Sequence, residues 1–358
     1  SSGYTLALDD SNIPAAKRLF MTATPKVFQA HFKKRAAESG VDVVSMDDKA
    51  VFGPVLHSLS FGEAIKQDLL TDYRVVVVGI DNPTYERMIS ERSLVETDNQ
   101  IQSDAQSLAS HIALAKAMQD YDLRRVISFH SRVNAASDFA SNLPKVIEWM
   151  PLVSRPGGLV IANHVSGAMP TSQREQRLQA LGNVKEDQRY VLTNARCLSE
   201  GVDVPTLDGV AFIDPKHSEI DIVQAVGRAI RLSHDKTIGT IVIPVFIRES
   251  EDTEEIFNSS PFKKVWAVVN ALRSHDGFLG EQLDALRNKL GKRGTVGKPD
   301  KIIFDLPAKV THAFERALKV KLLETTTASW EQWFGLLEDY KQQNGDCDVP
   351  DKYTTKTG

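Results

Sequence analysis

From residue 107 onward the chain alternates between two hydrophobic periodicities, and that alternation limits the folds open to it more than any other feature. A helical pattern at 107–119 leads to the apolar run RVISFHS (125–131), a second helical pattern at 134–149 and the run LVIANHV (159–165). A third helical pattern at 171–181 is followed by RYVLTNA (189–195), GVAFIDP (209–215), the segment containing QAVGRAIR (224–231), and TIGTIVIPVFI (237–247). Strands separated by helices close as right-handed βαβ crossovers, because a right-twisted strand feeding a right-handed helix packs back onto its sheet only in that hand. The expected fold is therefore α/β: a doubly wound, mostly parallel sheet covered by helices on both faces. Ligand sites in such sheets gather at the carboxyl ends of the strands, and the polar segments of this chain are expected there.

The flanking sequence divides the rest. Residues 1–90 hold two strand-like runs, RLFMTAT (18–24) and YRVVVVGI (73–80), around the amphipathic FGEAIKQDLL (61–70), and read as the tail of a separate α/β domain. The polar stretch 91–106 reads as a linker and 107–250 as one complete domain. Residues 251–328 turn helical, with VWAVVNALRS (265–274) and GEQLDALRNKL (280–290), followed by the Gly/Lys-rich loop 291–301, expected at the surface. Residues 329–358 open with SWEQWFGLLEDYKQQNG, an amphipathic helix ended by Gly345. Its Trp330, Trp333, Leu336, Leu337 and Tyr340 fall at helical spacing and are expected in the core.

Composition excludes more than it selects. With 42% hydrophobic and 25% charged residues the 358-residue chain is ordinary globular protein, and a formal charge of -4 leaves nucleic-acid binding to a local patch. Two cysteines, Cys197 and Cys347, are too few for a disulfide framework and suit a reducing interior. No apolar run approaches the ~20 residues of a membrane helix, so a soluble, cytoplasmic protein without a membrane partner is expected.

QAVGRAIR sets Gln224, Arg228 and Arg231 at i, i+4 and i+7, on one helical face, with Val223, Val226 and Ile230 on another. Gly227 beside the polar face costs about 1 kcal/mol relative to alanine in a helix and leaves room for a close approach. Two arginines at this spacing suit either a solvated basic stripe or an anion site. The sequence contains no G-x-x-x-x-G-K-[ST] phosphate loop, G-x-G-x-x-G turn, G-x-S-x-G elbow or H-E-x-x-H pair, and its nine histidines form no ligand cluster, so no metal ligands are expected.

Several polar segments occur in a familiar order. TATP (22–25), SFHSR (128–132), TNARCLSEGVDVP (193–205) and QAVGRAIR resemble motifs III, IV, V and VI of the superfamily 2 helicases of the DEAD/DEAH-like kind, and GAMPTSQREQRL (167–178) resembles an arginine-bearing segment between motifs IV and V. The resemblance covers residues 18 to about 247 and implies a RecA-like fold: the end of a first RecA-like domain in 1–90 and a second in 107–250. SWEQWFGLLEDYKQQNGDCDVPDKY is similar to the opening of a helicase-associated repeat.

In that family two RecA-like domains clamp ATP, and motif VI arginines reach the γ-phosphate. The resemblance thus implies Arg228 and Arg231 as arginine fingers with Gln224 beside them, and Gly201, Asp203 and Gly227 at the nucleotide. It assigns Thr22, Ala23 and Thr24 to coupling hydrolysis with movement. Ser131, Arg132, Arg174, Thr193 and Asn194 fall to a DNA or RNA backbone, read with little base specificity. Thr193 could instead satisfy a strand end, and Arg132 could pair with a surface carboxylate. The family's phosphate loop and D-E-x-H magnesium motif do not occur in these residues, so the chain is expected to be a C-terminal portion of an enzyme that uses ATP and Mg2+ when intact. Alone it is expected to hold neither and to be inactive. A non-catalytic RecA-like binding module is the competing expectation.

Overall fold

The computed structural model describes residues 7–22, 25, 27, 38–40, 43–81, 105–195, 204, 206–214, 218–233, 236–247, 253–293, 297–308, 310–327, 329–350 and 353. The chain divides into two compact units, Ser1–Leu59 and Ser60–Gly358. The first holds the short helix α1 (Lys49–Phe52), started by Asp48, whose carboxylate accepts from Ala50 N at 2.9 Å. Within the same unit Arg18 donates to the carbonyls of Ala7 and Ile13. The strand expected at 18–24 is not formed over residues 18–22: Leu19 and Met21 are exposed, and no strand lies beside them among the described residues.

The second unit carries α2 (Phe61–Lys66), β1 (Asp72–Asp81), α3 (Ala105–Asp120), β2 (Arg125–His130), α4 (Val133–Trp149), β3 (Leu159–Val165), α5 (Thr171–Gly182) and β4 (Gln188–Asn194). It continues with β5 (Gly209–Asp214), α6 (Glu219–Ala229), β6 (Ile238–Ile247), α7 (Thr253–Asn258), α8 (Ser260–His275), α9 (Gly277–Arg293), β7 (Ile302–Asp305), α10 (His312–Thr326) and α11 (Ser329–Asn344). The seven strands form one parallel sheet in the order β3-β4-β2-β5-β6-β1-β7.

The expected α/β architecture is present, and strand parity explains its two cores. Val76, Val78, Val126, Val191, Ala211 and Val242 point to the face covered by α3 and α4. Their neighbours Val75, Val77, Ile127, Leu192, Val210, Phe212, Ile241 and Ile243 point to the face covered by α6, α8, α9 and α10. Strands buried on both faces read as continuous apolar runs, which is why Val75–Val78 form an unbroken fully buried stretch.

The domain boundaries differ from expectation. β1, expected in the preceding domain, lies between β6 and β7, with Asp72 opposite Ile238 and Val75 opposite Ile302. Nor are residues 251–328 a separate extension: β7 adds an edge strand, and Phe262, Val265, Leu283 and Leu322 enter the same core as the sheet. The expected linker at 91–106 lies outside the described residues except for the start of α3. Buried Asp276 joins these late elements to β1. Its carboxylate accepts from Tyr73 Oη at 2.7 Å and Lys301 Nζ at 3.3 Å, and starts α9 by accepting from the backbone of Phe278 and Leu279. Burial, then the charge of Asp276, pushes the Tyr73 hydroxyl far above its ordinary value.

The terminal helix also departs from expectation. Trp330 and Trp333 are 63% and 64% exposed, so they are not core. Only Tyr340 of the expected stripe is buried, under Tyr353 and with its hydroxyl on Asp348 O at 2.8 Å.

Candidate nucleotide and nucleic-acid sites

α6 forms where the sequence supplies a start, a buried face and a stop. Ser218 caps it, accepting from Asp221 N at 3.4 Å, and Glu219 and Asp221 place negative charge in the first turn, where helix amide groups favour it. Ile222, Val223, Ala225, Val226 and Ala229 are buried against the sheet. The helix ends at Ala229, two residues earlier than a continuous QAVGRAIR helix would, so Arg231 lies just past it.

Three contacts fix that end. Thr71 N donates to Ile230 O at 2.8 Å and Thr71 Oγ1 to Arg231 O at 3.2 Å, within an antiparallel bridge between Leu70 and Arg231. Lys236 Nζ donates to Ala229 O at 2.9 Å and Leu207 O at 3.0 Å. Gly239 passes so close that a Cβ there would stand 2.5 Å from Ala229 O. Burial pushes the Lys236 amine down to about 8; Asp208 opposes the shift and Arg231 adds to it.

The three polar residues differ in burial, and Arg228 and Arg231 lie close enough for their charges to act on each other. Gln224 and Arg231 are half-buried, while Arg228 is 6% exposed. Burial lowers the Arg228 pKa, with the like charge of Arg231 adding to it, yet a guanidinium stays protonated at any physiological pH. Among the described residues, a Cβ on Gly227 would meet Phe61 Cζ at 3.8 Å, an ordinary van der Waals contact. Since Arg231 bridges Leu70, two residues before β1, and Lys236 ties α6 to Leu207, two residues before β5, this group sits at the amino edge of the sheet. The expectation that all polar sites lie at the carboxyl ends of the strands therefore fails for α6. Gly201, Asp203, Ala23 and Thr24 lie outside the described residues; Thr22 is exposed in the first unit.

The carboxyl edge carries the other group. His130 lies opposite Asp214, and Ser131, just beyond β2, donates its hydroxyl to the exposed Asp214 carboxylate. Arg132 is exposed at the N-cap of α4, which leaves it accessible and makes no side-chain cap. Arg174 is half-buried on α5 and donates to Thr171 Oγ1 at 3.1 Å. Thr193 takes its structural role: it is fully buried at the end of β4 and its hydroxyl donates to Ala136 O at 2.6 Å. Asn194 is buried beside it. Neither side chain is presented to a ligand, because helix α4 covers the end of β4.

Sequence reasoning missed Thr71, Asp214, Lys236 and Lys264. Lys264 is buried, donates to Ile213 O at 2.8 Å, and is pushed down to about 7 by burial against the opposing charge of Asp214. A lone lysine in a polar loop or an amphipathic helix carries no pattern that marks it in advance.

Residues 112–233 match the family model of the helicase conserved C-terminal domain. With the parallel sheet above, which is that of a RecA-like α/β fold, this segment is similar to helicase C-terminal domains. Among its relatives is the African swine fever virus (isolate Pig/Kenya/KEN-50/1950) protein named "Probable helicase A859L", 24% identical over 274 residues, spanning 76% of this chain and 27% of the relative. Among solved structures, the ATP-dependent Type ISP restriction-modification enzyme LlaBIII bound to DNA is 28% identical with a TM-score of 0.72, over 96% of this chain and 23% of that enzyme. LlaGI, a second Type ISP enzyme, shares the fold at a TM-score of 0.52 and 23% identity, over 97% of this chain and 21% of its own. The chain thus spans about a quarter of the length of these proteins. No described helix is long and apolar enough to cross a membrane.

Proposed function

We propose that the chain is the C-terminal part of an ATP-dependent helicase or translocase that couples ATP hydrolysis to movement along DNA or RNA. The observation that carries this reading is the end of α6: Arg228 and Arg231 sit on backbone locked by Thr71 and Lys236, inside the segment that matches the helicase C-terminal domain. Phosphoryl transfer leaves a protein little covalent work, so fixed positive charge at the phosphates supplies much of the acceleration. In this reading Arg231 meets the γ-phosphate, Arg228 adds charge behind it, and Gln224 orients a phosphate oxygen or the attacking water. Gly201, Asp203 and Gly227 border the nucleotide, and Thr22, Ala23 and Thr24 couple its hydrolysis to movement. Mg2+ and the phosphate-holding loop belong to residues other than these 358, so this chain alone is inactive.

Ser131, Arg132 and Arg174 are the proposed contacts to the nucleic-acid backbone, with Thr193 and Asn194 supporting the strand end beneath them. DNA in the LlaBIII structure supports a nucleic-acid partner. Contacts of this kind read phosphate and sugar rather than sequence.

The test is nucleic-acid-stimulated ATP hydrolysis by the protein that carries this chain. Arg231→Ala and Arg228→Ala are each expected to lower kcat on the order of 10³- to 10⁵-fold, as loss of an arginine finger does. Wild-type turnover in either variant, with an unchanged circular dichroism spectrum, refutes the assignment. The burial of Arg228 favours a second reading, a non-catalytic RecA-like module in which that arginine only supports the fold. Nucleic-acid binding without ATP turnover in the wild-type protein, with loss of thermal stability in Arg228→Ala, selects it.

A further inference from the structure

Lys236 stands between two segments that the motor reading treats separately. Its ammonium donates at once to Ala229 O, the carbonyl that ends α6, and to Leu207 O, two residues before β5. The last carbonyls of a helix lack partners within it, and a cation there meets both the open acceptors and the negative end of the helix dipole. The placement follows from the chain path. Ser233 and Lys236 pair as an antiparallel bridge, and Lys236 reaches back to the end of the helix. Gly239 then runs against the same carbonyl, so the gap around Ala229 O is filled on one side by backbone and on the other by the lysine. The charged groups acting on the amine are the Asp208 carboxylate, which favours the ammonium, and the Arg231 guanidinium, which opposes it. Asp208 is itself fixed, accepting from the backbone of Arg124 at 3.0 Å and Arg125 at 2.7 Å.

We propose that Lys236 is a positioning residue: it fastens the end of α6 to the segment entering β5, so that Arg228 and Arg231 keep their placement relative to the residues that follow the proposed Asp203 contact. The inference rests on the nucleotide reading of α6. Lys236 touches no substrate. It acts through the backbone that carries the arginines, so its loss slows the chemical step and leaves nucleotide affinity nearly unchanged.

The experiment is steady-state ATP hydrolysis by the protein that carries this chain, with saturating nucleic acid, for wild type, Lys236→Met, Lys236→Arg and Arg228→Ala. Circular dichroism and thermal melting are recorded for each. Misplacing a catalytic group by about 1 Å can cost on the order of 10²-fold, so Lys236→Met is expected to lose about that much kcat with KM for ATP within about twofold. Lys236→Arg, which keeps charge and donors, recovers most of the loss. If the methionine protein does not fold, Lys236→Gln takes its place under the same criteria. Wild-type kcat in the neutral variant, a loss that arginine does not relieve, or a rise in KM at constant kcat overturns the inference. Wild-type turnover in folded Arg228→Ala removes the nucleotide reading and this inference with it, whereas a dead Arg228→Ala beside a fully active Lys236→Met removes the inference alone.

Discussion

His111 and His130 both pack on Phe139, at ring-centroid distances of 3.8 and 5.0 Å, and both are buried. Burial pushes His111 down to about 4, against its bonds to Ser107 O and Phe139 O, and His130 down to about 3, with the charges of His111 and Lys264 adding to the shift. A neutral imidazole has one N–H, so His111 donates to only one of the two carbonyls it faces; Ser107 O, at 2.7 Å against 3.2 Å, is the shorter contact. Below pH about 6.5 the unfolded chain takes up protons that these folded rings refuse. Stability therefore stands in full above that pH and is lost as pH falls toward 4 and then 3, by a few kcal/mol for each ring at about 1.4 kcal/mol per unit. Melting temperature measured from pH 7 to 4 should fall, and His130→Leu should make that fall shallower throughout. An acid limb of the same depth in the variant rules this origin out. The sign for Lys264, at about 7 against an ordinary 10.5, agrees: folded-state stability rises from neutral toward alkaline pH. None of these groups could be ranked from sequence, because burial by residues from distant elements sets their pKa values.

Elements were legible where a local pattern decides them. Strands β2 to β6 fall within one residue of the apolar runs that announced them, since a strand buried on both faces must be apolar throughout. α6 was legible in its start and its buried face but not in its stop, because the contact ending it comes from Thr71, some 160 positions earlier. α11 shows a different limit. Periodicity identified which residues share its face, but not which face meets a neighbour. The helix docks on α9 through Gly335, where an added Cβ would stand 2.1 Å from Asn288 O, and this leaves Trp330 and Trp333 outward. Because the obstacle is helix backbone and not a flexible side chain, Gly335→Val is expected to displace α11. Amide exchange should accelerate across residues 329–344 while α3 keeps its protection. Unchanged exchange in α11 would show that the crossing tolerates a side chain.

For the molecule as a whole, the α/β class was readable from sequence, whereas the partition into domains was not. YRVVVVGI declares a buried parallel strand, but nothing in it says which sheet it joins; that choice depends on the edge of β6, more than 150 residues away. β7 was missed because IIFD is only four residues long and follows a polar loop. Both placements make residues 107–250 incomplete as a folding unit. Without β1, Ile241, Ile243 and Val245 of β6 lose their neighbour, and the fully buried Val75–Val78 are absent from both cores. Burying one such side chain is worth roughly 1.5–3 kcal/mol, so these four valines alone rival the roughly 5–15 kcal/mol net stability of a whole domain. The opened edge of β6 would also present unpaired backbone groups to other chains. Residues 60–358 are accordingly expected to melt in one cooperative transition, and residues 107–250 to aggregate or to unfold without a sigmoidal baseline-to-baseline change. Equal cooperativity of the two, followed by circular dichroism against temperature, would mean that β1 and β7 decorate the sheet without completing it.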